Sequence, residues 1–227
     1  MKKSYAGATI AAVVGLTGAS ASGQTVTYNA ALGGGLTPFL AGAGNTNTNF
    51  VINTVDLGND NFMELAIKAK KRQGPDDATP SYSPGSYSVQ PGLQDGVADR
   101  WWWNYDYSLD FRESGLAIGD IGIQTVFNFE GQGQQVLEFA GQSVFTPGSL
   151  LEQGSVNFGF GFLSYLGYNP DAVGTYTITI NVFDLSGGNG SLFPIGSVTM
   201  QAVVIPLPGA AGMALAGMGL IGLRRRR

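Results

Sequence analysis

Strict alternation of apolar and polar side chains dominates the centre of the chain. Between Trp101 and Arg112, every odd position is aromatic or aliphatic, and the even positions after Trp102 are all polar. Successive side chains of a strand point to opposite faces, so this period of two predicts a half-buried β-strand and not a helix. The predicted inward residues are Trp101, Trp103, Tyr105, Tyr107, Leu109 and Phe111, and the predicted outward residues are Trp102, Asn104, Asp106, Ser108, Asp110 and Arg112.

Four later segments alternate in the same way and predict four more strands. A glycine-rich stretch, residues 187–190, separates the last two segments and predicts a hairpin loop between them. The predicted inward sets are Ile121, Ile123, Thr125, Phe127 and Phe129; Val156, Phe158, Phe160 and Phe162; Tyr176, Ile178, Ile180 and Val182; and Val198, Met200, Ala202 and Val204.

Residues 61–72 fit both a helix and a strand. The strict alternation of their second half favours the strand, with Glu64, Lys68, Lys70 and Arg72 on its outward face. The helix would group Phe62, Leu65, Ala66 and Ala69, whereas the strand would bury Met63, Leu65, Ile67 and Ala69. The following residues, 73–99, contain four prolines, four serines and four glycines without periodicity, which predicts an exposed, mobile loop.

About eight to ten short strands, separated by turn residues and without a strong amphipathic helix, predict an all-β fold. The expected architecture is a single two-sheet β-sandwich of the jelly-roll or immunoglobulin-like type, spanning residues 22–202. It is flanked by a predicted signal peptide, residues 1–21, and by a tail, residues 203–227, with a C-terminal transmembrane helix.

Composition limits the chemistry of this predicted domain. The chain has no cysteine and no histidine, which excludes disulfides, thiolate zinc sites, cysteine nucleophiles and serine–histidine–aspartate triads. Six of the 12 basic residues lie near the termini, so the body has six basic and 16 acidic residues, a net charge of −10. Such a body is repelled by phosphates, so nucleic acid and anionic lipid are not expected partners.

The N-terminal residues follow the order of a secretory signal. Lys2 and Lys3 precede an apolar run from residue 5 to residue 16, and small residues follow at 18–22. Ala19 and Ala21 occupy the two small positions that signal peptidase recognises. We therefore expect passage through the secretion translocon, cleavage after Ala21 and a mature chain that starts near Ser22.

The C-terminal residues combine a proline motif, an apolar span and a basic cluster. Residues 203–223 are 21 uncharged residues, enough to cross a bilayer that needs roughly 20. Arg224, Arg225, Arg226 and Arg227 follow and are expected to stay on the cytoplasmic side. Because the span is rich in glycine and alanine, it is only marginally hydrophobic, which favours a transient stay in the inner membrane over a permanent anchor.

This combination, with Pro206-Leu207-Pro208 as its proline motif, resembles the PEP-CTERM sorting signals of Gram-negative bacteria in their VPLPA-type variant. The body segments 102–109 and 169–176 are also similar to bodies that carry such tails. The resemblance implies processing near the motif by an exosortase-type enzyme. It also implies delivery to the cell surface or to an extracellular polysaccharide matrix. The alternative is an ordinary C-terminal anchor.

Three features of the sequence are candidate chemical sites. Residues 56–61 cluster oxygen ligands of the kind that calcium prefers, but they miss the calcium-loop register and fit a plain turn better. Trp102, flanked by Asn104 and Asp106, is the one outward aromatic that could stack on a sugar ring. A glycosidase would need two carboxylates facing each other, and the acidic candidates are Asp106, Asp110, Glu130 and Glu138.

The sequence therefore predicts an exported, non-enzymatic protein of the cell surface or extracellular matrix. No catalytic residue, metal ligand or cofactor is assigned. The alternative is a carbohydrate-binding module attached to exopolysaccharide, with Trp102, Asn104 and Asp106 as its ligand-facing residues.

Overall fold

The structure, a computed structural model, describes residues 23–32, 48–72, 79–80, 83–96, 101–140, 149–160, 163, 166–169, 171–186 and 194–205. Nearly all regular structure in these ranges is β-strand, and the helical residues are those of two 3₁₀ turns, Gln94–Gly96 and Ile118–Asp120, and Leu163. The strands are β1 (Gln24–Ala30), β2 (Phe50–Gly58), β3 (Asn61–Lys71), β4 (Thr79–Pro80), β5 (Ser86–Val89), β6 (Trp103–Asp110), β7 (Ile121–Phe129), β8 (Gly133–Ala140), β9 (Leu151–Val156), β10 (Gly174–Asp184) and β11 (Gly196–Val204).

The strands form two sheets. Sheet A has the order β1-β2-β3-β6-β9, and sheet B has the order β4-β5-β11-β10-β7-β8. Neighbouring strands are antiparallel except β5 and β11, which run parallel. The all-β, sandwich-like architecture expected from the alternating pattern is therefore confirmed.

One hydrophobic core lies between the two sheets. It includes the inward residues of β3 and β6 from sheet A and those of β7, β10 and β11 from sheet B. Trp103 of β6 contacts Tyr176 of β10 edge-on, with ring centroids 5.7 Å apart, and Phe158 with centroids 5.2 Å apart. Edge-to-face aromatic pairs of this kind stabilise the core beyond the area that they bury.

The predicted phases of five strands are confirmed. Residues 61–72 form a strand and not a helix, because alternation sends four apolar side chains into the core, where they are fully buried. The predicted inward residues of β6, β7, β10 and β11 are likewise buried, except Tyr107, which is half-buried. The predicted hairpin between β10 and β11 is present, although its loop residues 187–190 lie outside the described residues.

Two predictions along the chain are wrong. The predicted strand 156–162 does not continue past Val156, where β9 ends, because residues 157–160 form a turn; residues 161 and 162 lie outside the described residues. The segment 73–99 is not one mobile loop, because β5 lies within it, pairs with β11, and buries Tyr87 and Val89. The sequence pattern does not predict β5, because its parallel partner β11 lies more than 100 residues away. Proline and glycine also flank this short strand, as they do in loops.

The last strand overlaps the first two residues of the predicted sorting tail. β11 extends to Val204 and therefore includes residues 203 and 204, which the sequence analysis assigned to the tail. The following backbone N–H, that of Ile205, still donates to the carbonyl of Val89 at 3.1 Å. No helix long and apolar enough to cross a membrane occurs in the part of the chain that the structure describes.

The terminal motifs lie outside the part of the chain that the structure describes. Ala19 and Ala21, the motif residues Pro206, Leu207 and Pro208, and the cluster Arg224 to Arg227 lie outside the described residues. Their assignments remain predictions.

Candidate functional site

The candidate calcium-binding residues, 56–61, form the turn between β2 and β3 and the strand ends that flank it. Asn59 and Asp60 both adopt positive φ, 55° and 63°, as the right-handed twist of a two-residue hairpin requires. The Gly58 N–H donates to Asp56 Oδ1 at 2.7 Å, which closes the turn locally. The predicted turn is thus confirmed. Among the described residues, no group of three or more acidic side chains is arranged to hold a metal ion.

The outward face of β6 is polar, but the expectation that it meets solvent is wrong. Asn104 is 8% exposed, Asp106 is fully buried, and Ser108 and Asp110 are also buried. These side chains occupy the outer face of sheet A together with those of β3 and β9, with which β6 pairs. Period-two alternation reports which face a side chain lies on, and it carries no information about whether that face is covered.

A buried charged group lies at the centre of this face. Lys68 of β3 lies opposite Asp106 of β6 in the sheet register, and both side chains are fully buried. Lys68 Nζ lies 4.0 Å from Asp106 Oδ2, and Lys70 Nζ lies 3.9 Å from the same oxygen. Lys68 also donates to the Thr48 carbonyl at 3.2 Å and lies over the Phe50 ring. Two cations around one buried carboxylate indicate structural charge compensation.

Asn104 belongs to a second polar network at the start of β6. Its Nδ2 donates to Ser155 Oγ at 3.1 Å, and its Oδ1 accepts from Asn157 Nδ2 at 2.7 Å. The amide of Asn157 also bonds the backbone of Trp101 and Trp103. Because these bonds are internal to the protein, Asn104 holds β6 and β9 together and has little capacity left for a ligand.

Trp102 is the one member of the predicted ligand-facing set that keeps partial exposure. It precedes β6 at a bend, and its backbone N–H donates to the Gly92 carbonyl at 3.3 Å. A Cβ built on Gly92 would lie 3.3 Å from Asp171 Oδ1 and 3.8 Å from Trp102 Cδ1. Trp102 therefore lies near Asp171, and Asn104 and Asp106 do not share an exposed surface with it.

The four carboxylates that could serve acid–base chemistry lie in separate parts of the fold. Glu138 lies on β8 of sheet B, where its Oε1 accepts from Gln124 at 3.0 Å, and Glu130 lies in the turn after β7, where its Oε2 accepts from the Thr175 N–H at 2.9 Å. Asp106 and Asp110 share one face of β6, as predicted, but both are buried in sheet A.

Glu64 lies directly opposite Asp110 in the strand register. The sequence alone did not predict that these two carboxylates are neighbours. Burial, and then the charge of Asp110, raise the pKa of Glu64. Arg112 donates through Nε and Nη2 to both oxygens of Asp110, at 3.0 and 2.6 Å. This bidentate bond is the main reason that the pKa of Arg112 is raised. Such a pair can be predicted only from the register of the two strands, which the sequence alone does not determine.

Several tyrosines at the core are held neutral. Burial raises the pKa of Tyr107 to about 12, with a smaller contribution from the charge of Glu152. Burial also raises the pKa of Tyr168 to about 12 and, more strongly, that of Tyr105. The Tyr176 hydroxyl donates to nearby carbonyls, those of Asn169 and Ala172, 3.2 and 3.1 Å away. These phenols act as core residues, and their chemistry at neutral pH is that of hydrogen-bonding groups.

Comparisons with known proteins give no match. No family model matches the chain, and neither the curated proteins nor the solved structures include a match to it.

Proposed function

We propose that this chain is an exported, non-enzymatic protein of the cell surface or extracellular matrix, delivered through its C-terminal sorting signal. One observation carries the proposal. The described strands run from Gln24 to Val204, between the predicted signal cleavage after Ala21 and the motif that begins at Pro206. Removal of both terminal segments therefore leaves every described strand intact, as a module with two processing signals requires.

The proposed roles of the terminal residues follow from their chemistry. Ala19 and Ala21 present small side chains to signal peptidase. Pro206 and Pro208 cannot continue a regular helix, so they expose backbone that an exosortase-type enzyme can grip. Arg224 to Arg227 keep the C-terminus in the cytoplasm during a transient stay in the inner membrane.

The body fits a durable outer module. The core between its two sheets contains no cysteine, so stability comes from packing and from internal hydrogen bonds. Its buried polar side chains, including Asn104, Lys68 and Asn157, bond within the protein. We take the body as one β-sandwich domain whose role is structural or adhesive.

Mass spectrometry of the protein purified from the surface fraction of its native host tests this function. We expect an N-terminus at or near Ser22 and a C-terminus at or near residues 206–208. An exported form that retains Met1 would contradict the signal peptide. An exported form that retains Arg227 would contradict processing and leave a simple anchor.

Carbohydrate binding is the second candidate function, and the partial exposure of Trp102 beside Asp171 favours it. A partly exposed aromatic ring can stack on a sugar ring, and a carboxylate that flanks the same glycine, Gly92, can accept hydrogen bonds from sugar hydroxyls. If this site binds a glycan, Trp102→Ala abolishes retention on the host's own polysaccharide in a pull-down assay. Unchanged retention would exclude Trp102.

A further inference from the structure

The outer face of sheet B presents an open array of amide and hydroxyl side chains. Strands β11, β10, β7 and β8 lie side by side, and every second residue of each points away from the core. We call these side chains the amide–hydroxyl face. All are exposed or half-buried, and they are Ser197, Thr199 and Gln201 of β11; Thr177, Thr179 and Asn181 of β10; Gln124, Val126 and Asn128 of β7; and Gln134, Val136 and Glu138 of β8.

The strand register aligns these side chains in three rows across the sheet. Thr177 lies opposite both Gln201 and Asn128, and Asn128 lies opposite Gln134. The next row places Thr179 between Thr199 and Val126, and the third places Asn181 between Ser197 and Gln124. With strands ~4.8 Å apart and alternate residues ~6.8 Å apart, the face covers about 14 by 14 Å.

Hydrogen bonds between the side chains orient two of these rows. Asn181 Nδ2 donates to Gln124 Oε1 at 3.0 Å, and Gln124 Nε2 donates to Glu138 Oε1 at 3.0 Å. In the adjacent row, the hydroxyls of Thr179 and Thr199 lie 2.9 Å apart. Each amide nitrogen carries a second N–H and each oxygen a second lone pair, so the fixed groups still offer donors and acceptors outward. Groups fixed in advance lose less entropy when they bind.

The face is nearly uncharged in a strongly acidic protein. Glu138 is its one ionisable residue, whereas the body between the termini carries a net charge of −10. Val126 and Val136 are the apolar members of the three rows, and the half-buried Phe183 and Val203 continue the face beyond its two ends, so the rows lack the hydrophobic centre that a stable protein interface has. Its chemistry matches a neutral polymer that both donates and accepts hydrogen bonds.

We propose that the amide–hydroxyl face binds a neutral, hydroxyl-rich polysaccharide laid across strands β11 to β8. Amides and hydroxyls match sugar hydroxyls in donor and acceptor capacity, and the face bears no positive charge to bind a polyanion. The proposal depends on the proposed function in one respect, namely that export brings the protein into contact with such a polymer. It names a surface distinct from Trp102, which lies just before β6 of sheet A.

A binding assay on the processed protein, purified from its native host, tests this surface. The probes are microcrystalline cellulose, an insoluble β-1,3-glucan and the host's own neutral polysaccharide, with alginate as a polyanionic comparison. The test variant, Thr199→Glu combined with Gln201→Glu, introduces two carboxylates at exposed positions of β11. The control, Thr25→Glu, introduces one carboxylate at an exposed position of β1 in sheet A. Thermal unfolding followed by circular dichroism verifies that every variant is folded.

We expect wild-type protein to bind at least one neutral polymer with an affinity that does not change with added salt. The β11 variant should bind at least about tenfold more weakly, because bringing carboxylates against a neutral polymer strips their hydration. The Thr25→Glu control should stay within about twofold of wild type.

Each of the following outcomes would overturn the proposal. They are no binding to any neutral polymer, equal binding by the β11 variant, salt-sensitive binding to alginate alone, and pelleting without polymer, which indicates self-association. Loss of binding in Trp102→Ala but not in the β11 variant would move the site to sheet A and also overturn it. A correctly processed surface protein that binds no polymer would leave the proposed function standing, whereas failed export would contradict that function separately.

Discussion

Replacing Asn157 with alanine should test how the end of β9 is held to the start of β6. Asn157 Oδ1 accepts hydrogen bonds from the N–H groups of Trp101 and Gly159, at 3.0 and 2.9 Å. Its Nδ2 donates to the carbonyls of Trp101 and Trp103 and to Asn104 Oδ1. One side chain therefore bonds both the turn that ends β9 and the backbone that leads into β6.

The magnitude follows from burial. Asn157 is fully buried, so the smaller alanine side chain leaves the two N–H groups without their acceptor. An unsatisfied buried group costs about 1–3 kcal/mol, so two of them predict a loss of about 3–5 kcal/mol after partial relaxation. Asn157→Asp should be at least as harmful, because its second carboxylate oxygen would face three acceptor oxygens.

Urea unfolding of the purified protein, followed by tryptophan fluorescence, measures this loss. The control is Asn128→Ala, which removes the same side chain from an exposed position of β7 and should cost less than about 1 kcal/mol. The slope against urea should not change between variants, so that midpoints can be compared. If Asn157→Ala loses no more stability than Asn128→Ala, the network does not hold the two strands together.

Three further predictions use the same unfolding assay. Trp103→Ala should cost about 3–5 kcal/mol because its ring lies in the core, and Trp102→Ala should cost much less; similar losses would refute the assigned phase of β6. Asp106→Asn should cost about 3–5 kcal/mol, because it leaves the Lys68 ammonium buried without its counter-charge; a loss below about 1 kcal/mol would refute that compensation. The pKa of Tyr107, raised to about 12, means that the fold favours the neutral phenol, so the contribution of this phenol to stability should be constant below about pH 10 and stability should fall between pH 10 and 12; a flat profile between pH 10 and 12 would contradict it.

The strands that the sequence predicted correctly are those whose pattern is local. In β6, Trp103 and Leu109 alternate with Asn104 and Asp110, and neighbouring residues alone determine which face each occupies. The same holds for β3, where alternation favoured a strand over a helix. Because such a pattern does not depend on the partner strand, the sequence alone predicts which face each side chain occupies.

The features that were missed depend on distant residues. The parallel pairing of Ser86–Val89 with β11 joins segments far apart in sequence. The burial of Asp106 depends on how the outer face of sheet A is covered, and the opposition of Glu64 and Asp110 depends on strand register. Asn157 had one local signal, an amide within a run of aromatic residues and glycines, which also fits the solvent-facing side of a strand.

The measurement that tests the central claim most directly is the mass and location of a proline variant in the native host. In this variant, Pro206→Ala and Pro208→Ala remove the motif that follows β11, and Pro194→Ala, at the exposed position before β11, is the matched control. We predict that the double variant remains full length in the inner membrane, while the control is shortened and reaches the surface like wild type. If the double variant were shortened and delivered normally, the sorting-signal account would be contradicted.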